Sequence, residues 1–405
     1  MKKILLISTI YPIPSKDNKG TAVCHFFARE WLKMGYEVRV VHIQAVYPAI
    51  LYRLARLARN RIASLTGAVV YTEADRETVR YEMDGVPVMR VPVFKPIPHG
   101  PFSRKSFEKA LEVICEDMNS EGFVPDLAIG HFPNPQIGLL SALKRKYQGL
   151  PTCVVLHLDS ELGQIRSVYR KDYHKLMADI DVWGFRYKHL KERFSEDYGA
   201  PRKSFICYSG VPEGYIAEEN NRMYDQPLRE FVFVGEMIGR KHPDKVLEAL
   251  ENAYPQGEYH LIYIGDGQQI EPVRARAVSC GAEDRVEFLG KIPRDDIKAR
   301  YDSADCMIMI SEGEAYGLVY LEAMARGCIT IASRDEGFDG VIVDGVNGFL
   351  CRAGDAGELS DIIRKINAMT PEERRKISRS AWETARNLTD YLAAKRYIED
   401  VKSLL

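Results

Sequence analysis

The sequence predicts an α/β protein made of two doubly wound domains. Three observations carry this. Apolar runs of strand length alternate with helical patterns over almost the whole chain, as strands buried on both faces by helices require. The alternation comes as two consecutive series, separated by the polar, aperiodic stretch Pro212–Arg229. The chain has 405 residues, more than the ~250–300 that one hydrophobic core sustains.

The first series opens with a strand at Lys3–Ser8 and a helix at Thr21–Met34 closed by Gly35. Glu37–Ile43 is the next strand. Val79–Val91 holds two β-rich runs around Asp84-Gly85, a hairpin turn signal. Further strands are expected at Leu127–Gly130, Thr152–Leu156, Asp181–Gly184 and Lys203–Ile206. The second series runs through Phe231–Val234, Tyr259–Ile264, Val286–Leu289, Cys306–Ile310 and Ile329–Ala332. From Pro371 the chain is helical, with a last helix at Asp390–Leu404. These patterns give domains at 1–207 and 208–387, with 388–405 packing back on the first and Pro212–Arg229 as the linker. Tandem doubly wound domains place a cleft between them, lined by strand carboxyl ends.

Composition removes several function classes. A net charge of −1 gives no reason to expect nucleic acid as a partner. No run of 18 apolar residues exists to span a bilayer. The basic start at Met1–Lys3 resembles a leader, but its apolar run is short and meets Pro12 without a small-residue cleavage site, so a buried strand is expected. None of the eight cysteines forms a CxxC pair, and most lie in apolar runs. This predicts reduced, buried thiols in a cytoplasmic protein.

The segment most informative about chemistry is Ser311-Glu-Gly-Glu-Ala-Tyr-Gly-Leu-Val-Tyr-Leu-Glu-Ala-Met-Ala325. It follows an expected strand and opens a helix near Gly317. Leading amides of a helix are unpaired and sit at its positive end, so a diphosphate fits the N–H groups around Leu318 and Val319. Gly317 allows close backbone approach. Glu314 and Glu322 flank the helix start, placed to take sugar or ribose hydroxyls.

This segment resembles the Glu-x7-Glu motif of retaining glycosyltransferases with the GT-B fold (the glycosyl transferases group 1, or family 4), which includes many bacterial polysaccharide enzymes. The resemblance implies two Rossmann-like domains, an N-terminal one for the acceptor and a C-terminal one for the nucleotide-sugar. It assigns the donor sugar to Glu314 and the ribose to Glu322, with Ala315 and Tyr316 beside them. Phe233–Lys241 is similar to the family's Gly-Arg-x4-Lys-Gly, whose cations hold the diphosphate. Gly235 and Lys241 match, whereas Glu236 stands at the Arg position and His242 at the final Gly. Arg240 is the neighbouring cation able to substitute. Gly265 and Gly267 match a Gly-x-Gly beside the donor, and Lys291-Ile292 matches the stretch that reads the base. Ser333–Gly340 is similar to the family's Gly-rich loop.

In the first domain, Gly20-Thr21 matches a loop that closes over diphosphate and acceptor. His157 aligns with the histidine next to the reacting sugar, and His131 and Asp159 are further acceptor-side candidates. The resemblance therefore implies a retaining, metal-independent hexosyltransferase. It needs no cofactor and moves sugar from a UDP- or GDP-sugar to a saccharide or lipid-linked saccharide. No Asp-x-Asp stands in a setting suited to a metal motif, and Asp295-Asp296 is expected to start a helix. Two other readings remain open: a GT-B nucleotide-sugar epimerase, and a donor-binding subunit impaired by Glu236. Residues 48–65 read as a basic amphipathic helix, with Arg53, Arg56, Arg59 and Arg61 set against Ile50, Leu51 and Leu54. Such a helix suits an anionic membrane surface at the inner face of the cytoplasmic membrane.

Overall fold

A computed structural model describes residues 1–14, 22–52, 76–98 and 100–405. The chain divides into two compact units: 1–186, 190–207 and 393–405 form the first, and 187–189 and 208–392 the second.

In the first unit, β1 (Lys3–Ser8), β2 (Glu37–Val46), β3 (Val79–Met83), β4 (Val86–Phe94), β5 (Leu127–His131), β6 (Thr152–Leu156), β7 (Val182–Phe185) and β8 (Ser204–Ile206) build one sheet. Its order is β3-β4-β2-β1-β5-β6-β7-β8, parallel except for the β3–β4 hairpin. The described helices are α1 (Val23–Lys33), α2 (Arg104–Ser120), α3 (Gln136–Lys146), α4 (Ser160–Tyr169), α5 (Tyr173–Ala178) and α6 (Lys188–Tyr198). One face of the sheet packs Ile4, Leu6, Val38, Val40, Leu127 and Ile129 against Val23, Phe27 and Trp31 of α1. Residues 393–405 complete this core: Ala394, Tyr397, Ile398 and Val401 are all buried in it, and Trp31 Nε1 donates to the Ala394 carbonyl at 2.9 Å.

The second unit has a six-stranded parallel sheet ordered β11-β10-β9-β12-β13-β14. Its strands are β9 (Glu230–Val234), β10 (His260–Ile264), β11 (Val286–Gly290), β12 (Cys306–Ile308), β13 (Ile329–Ser333) and β14 (Phe349–Cys351). Its helices are α7 (Pro243–Ala253), α8 (Ile270–Ser279), α9 (Arg294–Ser303), α10 (Leu318–Ala325), α11 (Ala356–Ala368) and α12 (Pro371–Arg386). The final helix, α13 (Asp390–Leu404), carries the chain out of this unit and into the first. Among the described residues no helix is long and apolar enough to cross a membrane.

Sheet order decides where each unit binds. Connections from the central strand run outward in both directions, so strand order reverses between β1 and β5 in the first unit and between β9 and β12 in the second. Loops at the carboxyl ends of such a pair diverge and leave a crevice for a ligand. The functional segments therefore belong after β9 and β12, and after β1 and β5.

Three expectations need correction. Cys306–Ile310 forms a ladder only to Ile308, because the chain must already turn into the Ser311 loop. β14 was not expected; three residues are too few to show a period. Pro212–Arg229 is not a free linker. Tyr215, Tyr224 and Leu228 are buried in the second core, Tyr224 Oη donates to the Asp305 carbonyl at 2.8 Å, and the Arg222 guanidinium donates to the carbonyls of Tyr301, Ala304 and Arg326. A few long side chains hold this strap, which polarity alone does not reveal. Gly20 and Thr21, and residues 53–65 of the expected basic helix, lie outside the described residues.

Candidate active site

In the second unit the loops after β9 and β12 are tied together. β9 runs out at Val234, and Gly239–Lys241 makes one 3-10 turn before α7. The Glu312 N–H donates to the Arg240 carbonyl at 2.7 Å, and Arg240 Nη1 donates back to the carbonyls of Glu312 and Gly313 at 3.2 and 3.3 Å. This brings two cations to one carboxylate: Lys241 Nζ is 3.5 Å and Arg240 Nη1 3.8 Å from Glu314 Oε2. Lys241 is nearly covered, with 12% of its side chain exposed against 45% for Arg240. The more desolvated ammonium acts with less screening.

Glu314 is held through its backbone. Its N–H donates to Glu336 Oε2 at 2.8 Å, and its carbonyl accepts from Gly337 N–H at 2.9 Å. Gly317 then takes φ +75°, a left-handed conformation that costs glycine little, and a Cβ there would run into the Tyr320 ring. From it α10 starts with Leu318 and Val319, whose N–H groups have no intrahelical acceptor. The arrangement is two side-chain cations, a carboxylate and the positive end of a helix within one pair of loops, suited to an anionic group that carries hydroxyls.

The other predicted donor residues fall into distinct environments. Glu322 lies in the second turn of α10, 7% exposed, with Arg294 Nη2 2.5 Å from its Oε1. Burial pushes its carboxyl above the usual range, and Arg294 pulls it back. Tyr316 is buried, donates to the Ser209 carbonyl at 2.9 Å and packs edge-on against Phe338, while Ala315 beside it is half-buried. Gly235 lies against the Lys241 side chain. Gly265 sits where any Cβ would overlap the Gly235 carbonyl, so the β9 and β10 loops touch backbone to backbone. Gly267 approaches Met237 in the same way. Lys291 is exposed and Ile292 half-buried, after edge strand β11 and two strands from the reversal point. Asp295 and Asp296 fall in the first turn of α9. Among the described residues no cluster of three or more His, Cys, Asp or Glu side chains is placed to hold a metal ion.

In the first unit the polar residues gather where the apolar core ends. Ser8, His42, Arg90 and His131 stand in register across β1, β2, β4 and β5, all buried. His131 Nδ1 and His157 Nε2 are 2.9 Å apart. Burial, reinforced by Arg186, takes His131 down to about 3 and His157 well below the usual imidazole range. The His157 ring stacks on Phe132 at 4.1 Å, and the His157 backbone N–H donates to Glu161 Oε2 at 2.8 Å. Burial raises Glu161 to about 8. Asp159 is half-buried at the start of α4, 3.9 Å from Arg193 Nη1.

Sequence reading missed Glu336, Arg294, Glu161 and Tyr397. Glu336 lies in a loop already singled out, so its signal was present. Arg294 and Tyr397 meet their partners only through the tertiary fold and leave no local pattern.

The family described as "Glycosyl transferases group 1" matches residues 219–384. The second unit belongs to the glycosyl transferases group 1. The matched span of this group 1 unit contains both tied loops and the Glu322 pair. The chain is 25% identical to the amylovoran biosynthesis glycosyltransferase AmsK of Erwinia amylovora over 90% of each protein. Over 36% of each chain it is 34% identical to the N-acetyl-alpha-D-glucosaminyl L-malate synthase of Bacillus anthracis. Among solved structures it resembles Anabaena Alr3699/HepE in complex with UDP, with TM-score 0.67, 16% identity and full coverage of both chains. The lipopolysaccharide outer core galactosyltransferase WaaB gives TM-score 0.68, 17% identity and full coverage of both. The fold is GT-B.

Proposed function

We propose that the protein is a retaining, metal-independent glycosyltransferase that moves a hexose from a nucleotide-sugar to a saccharide or lipid-linked saccharide in cell-surface polysaccharide synthesis. One observation carries this: Lys241 and Arg240 both lie within 4 Å of Glu314, beside the start of α10. Lys241, Arg240 and the amides of Leu318 and Val319 take the diphosphate, whose charge grows as the bond from the sugar anomeric carbon to oxygen breaks. Arg240 thereby supplies the cation lost where Glu236 stands. Glu314 orients the sugar, and Glu322, held by Arg294, takes the ribose. The acceptor hydroxyl forms the new anomeric bond and its proton passes to the departing diphosphate.

UDP is the favoured nucleotide, since a similar structure holds UDP and another of the same protein holds UDP and glucose. A role in polysaccharide synthesis is supported by the amylovoran relative. The acceptor belongs to the first unit, where His42 Nδ1 and both amide atoms of Gln44 are buried without a hydrogen-bond partner among the described residues. The enzyme works in the cytoplasm, with residues 48–65 as its contact to anionic lipid. Glu314→Ala should abolish sugar transfer and UDP release from the UDP-sugar that stabilises the protein most; unchanged turnover would sink the assignment. Donor alone should give no epimerised sugar, which separates this reading from an epimerase.

A further inference from the structure

At the carboxyl ends of β5 and β6, three polar groups form one hydrogen-bonded line inside the first unit. Tyr397 Oη lies 3.2 Å from His131 Nε2, and His131 Nδ1 lies 2.9 Å from His157 Nε2. Phe27, Trp31 and Phe205 enclose the Tyr397 ring. Burial keeps both imidazoles neutral, so each carries one ring proton. Two neutral rings that share a hydrogen bond must be ordered: one donates and the other accepts.

The order is set at the far end of the line. Burial keeps the Tyr397 hydroxyl protonated, and a buried O–H donates to the best acceptor in reach. Among the described residues the groups it can bond are His131 Nε2 and the Cys153 thiol. Burial keeps that thiol protonated too, and a thiol is a weak acceptor. The Tyr397 proton therefore goes to His131 Nε2. The His131 proton must then sit on Nδ1, facing His157 Nε2. That nitrogen accepts, which leaves the His157 proton on Nδ1. Among the described residues no group bonds His157 Nδ1.

We infer that Tyr397 and His131 are positioning residues that fix His157 as its Nδ1–H tautomer, a hydrogen-bond donor offered to an oxygen of the sugar substrate. The phenol on α13 thus sets the donor character of a ring it does not touch. Phe132 and Glu161 hold the plane and backbone of that ring. The substrate side of this inference rests on the function proposed above; the tautomer does not.

The test uses the full chain labelled with ¹⁵N-histidine, with the His157 signals identified by their loss in H157A. In the unaltered protein His157 should be protonated on Nδ1 and bare on Nε2. Y397F keeps the ring and removes the hydroxyl, so His157 should become a mixture of tautomers. For UDP release from UDP-glucose, Y397F should lower kcat about tenfold and move KM by less than about twofold, and this loss should vanish in an H157A background. His157 protonated on Nε2, an unchanged tautomer in Y397F, or an equal Y397F loss in both backgrounds would each overturn the inference. Normal turnover by H157A would overturn the functional assignment of His157 instead, and the tautomer measurement would still decide the hydrogen-bond order.

Discussion

Replacing Arg294 with Met separates the structural and functional parts of the Glu322 pair. Glu322 is buried, and Arg294 is the cation bonded to it, at 2.5 Å. Removing that charge leaves an uncompensated carboxylate, a change that costs ~3–5 kcal/mol in a fully buried pair. Arg294 has 43% of its side chain exposed, so water replaces part of what is lost and the figure falls to about 1–2 kcal/mol. For a unit of this size that lowers Tm by roughly 2–8 °C.

The pH dependence has a definite sign. Burial already raises Glu322 in the folded state above its unfolded value, so the folded protein holds the proton over a range where the unfolded chain has released it. Stability from this group therefore falls as pH rises from the unfolded value through the folded one. Arg294→Met raises the folded value further and widens that window. The variant's Tm deficit should be small at pH 4.5 and reach its full size at pH 8. Differential scanning fluorimetry at the two pH values measures it. An equal deficit at both, or none at pH 8, would refute the account of Arg294 as the charge partner of Glu322.

Lys241→Ala should raise the Kd for UDP about tenfold or more and Arg240→Ala by less, because Lys241 is the more desolvated; titration calorimetry ranks them. Glu336→Ala should lower kcat with little effect on Tm, since it frees the backbone of Glu314 but not the core; steady-state kinetics beside a melting curve checks this. Gly265→Ala should cost about 3 kcal/mol through overlap with the Gly235 carbonyl, read by urea unfolding. Thr370→Ala removes one half of the capping box of α12 and should cost about 1 kcal/mol in the same assay.

Buried parallel strands were legible because they are apolar on both faces: β1, β6 and the limits of α13 read directly from the sequence. The helix opening near Gly317 was equally plain, since glycine and the apolar run of α10 adjoin. The exceptions have physical causes. β14 is short. The 212–229 strap is polar in sequence and anchored by Arg222 and Tyr224, whose partners lie far along the chain. His131 read as an acceptor-side candidate from its place at a strand end, while its burial and its bonds to His157 and Tyr397 depend on the tertiary fold. Glu322 read as a ribose ligand, while its bond to Arg294 depends on the packing of α9 against α10.

Residues 393–405 lie in the core of the first unit, around Trp31 and His131. During synthesis the first eight strands can assemble long before that core has its closing piece, which arrives only after the whole of 208–392 has been made. Until then Phe27, Trp31 and the face of β5 and β6 remain uncovered. The second unit has no such debt and can finish first. Maturation should therefore run against the order of the chain, with the N-terminal unit last to become protease-resistant. A C-terminal clip would leave the second unit standing and undo the first.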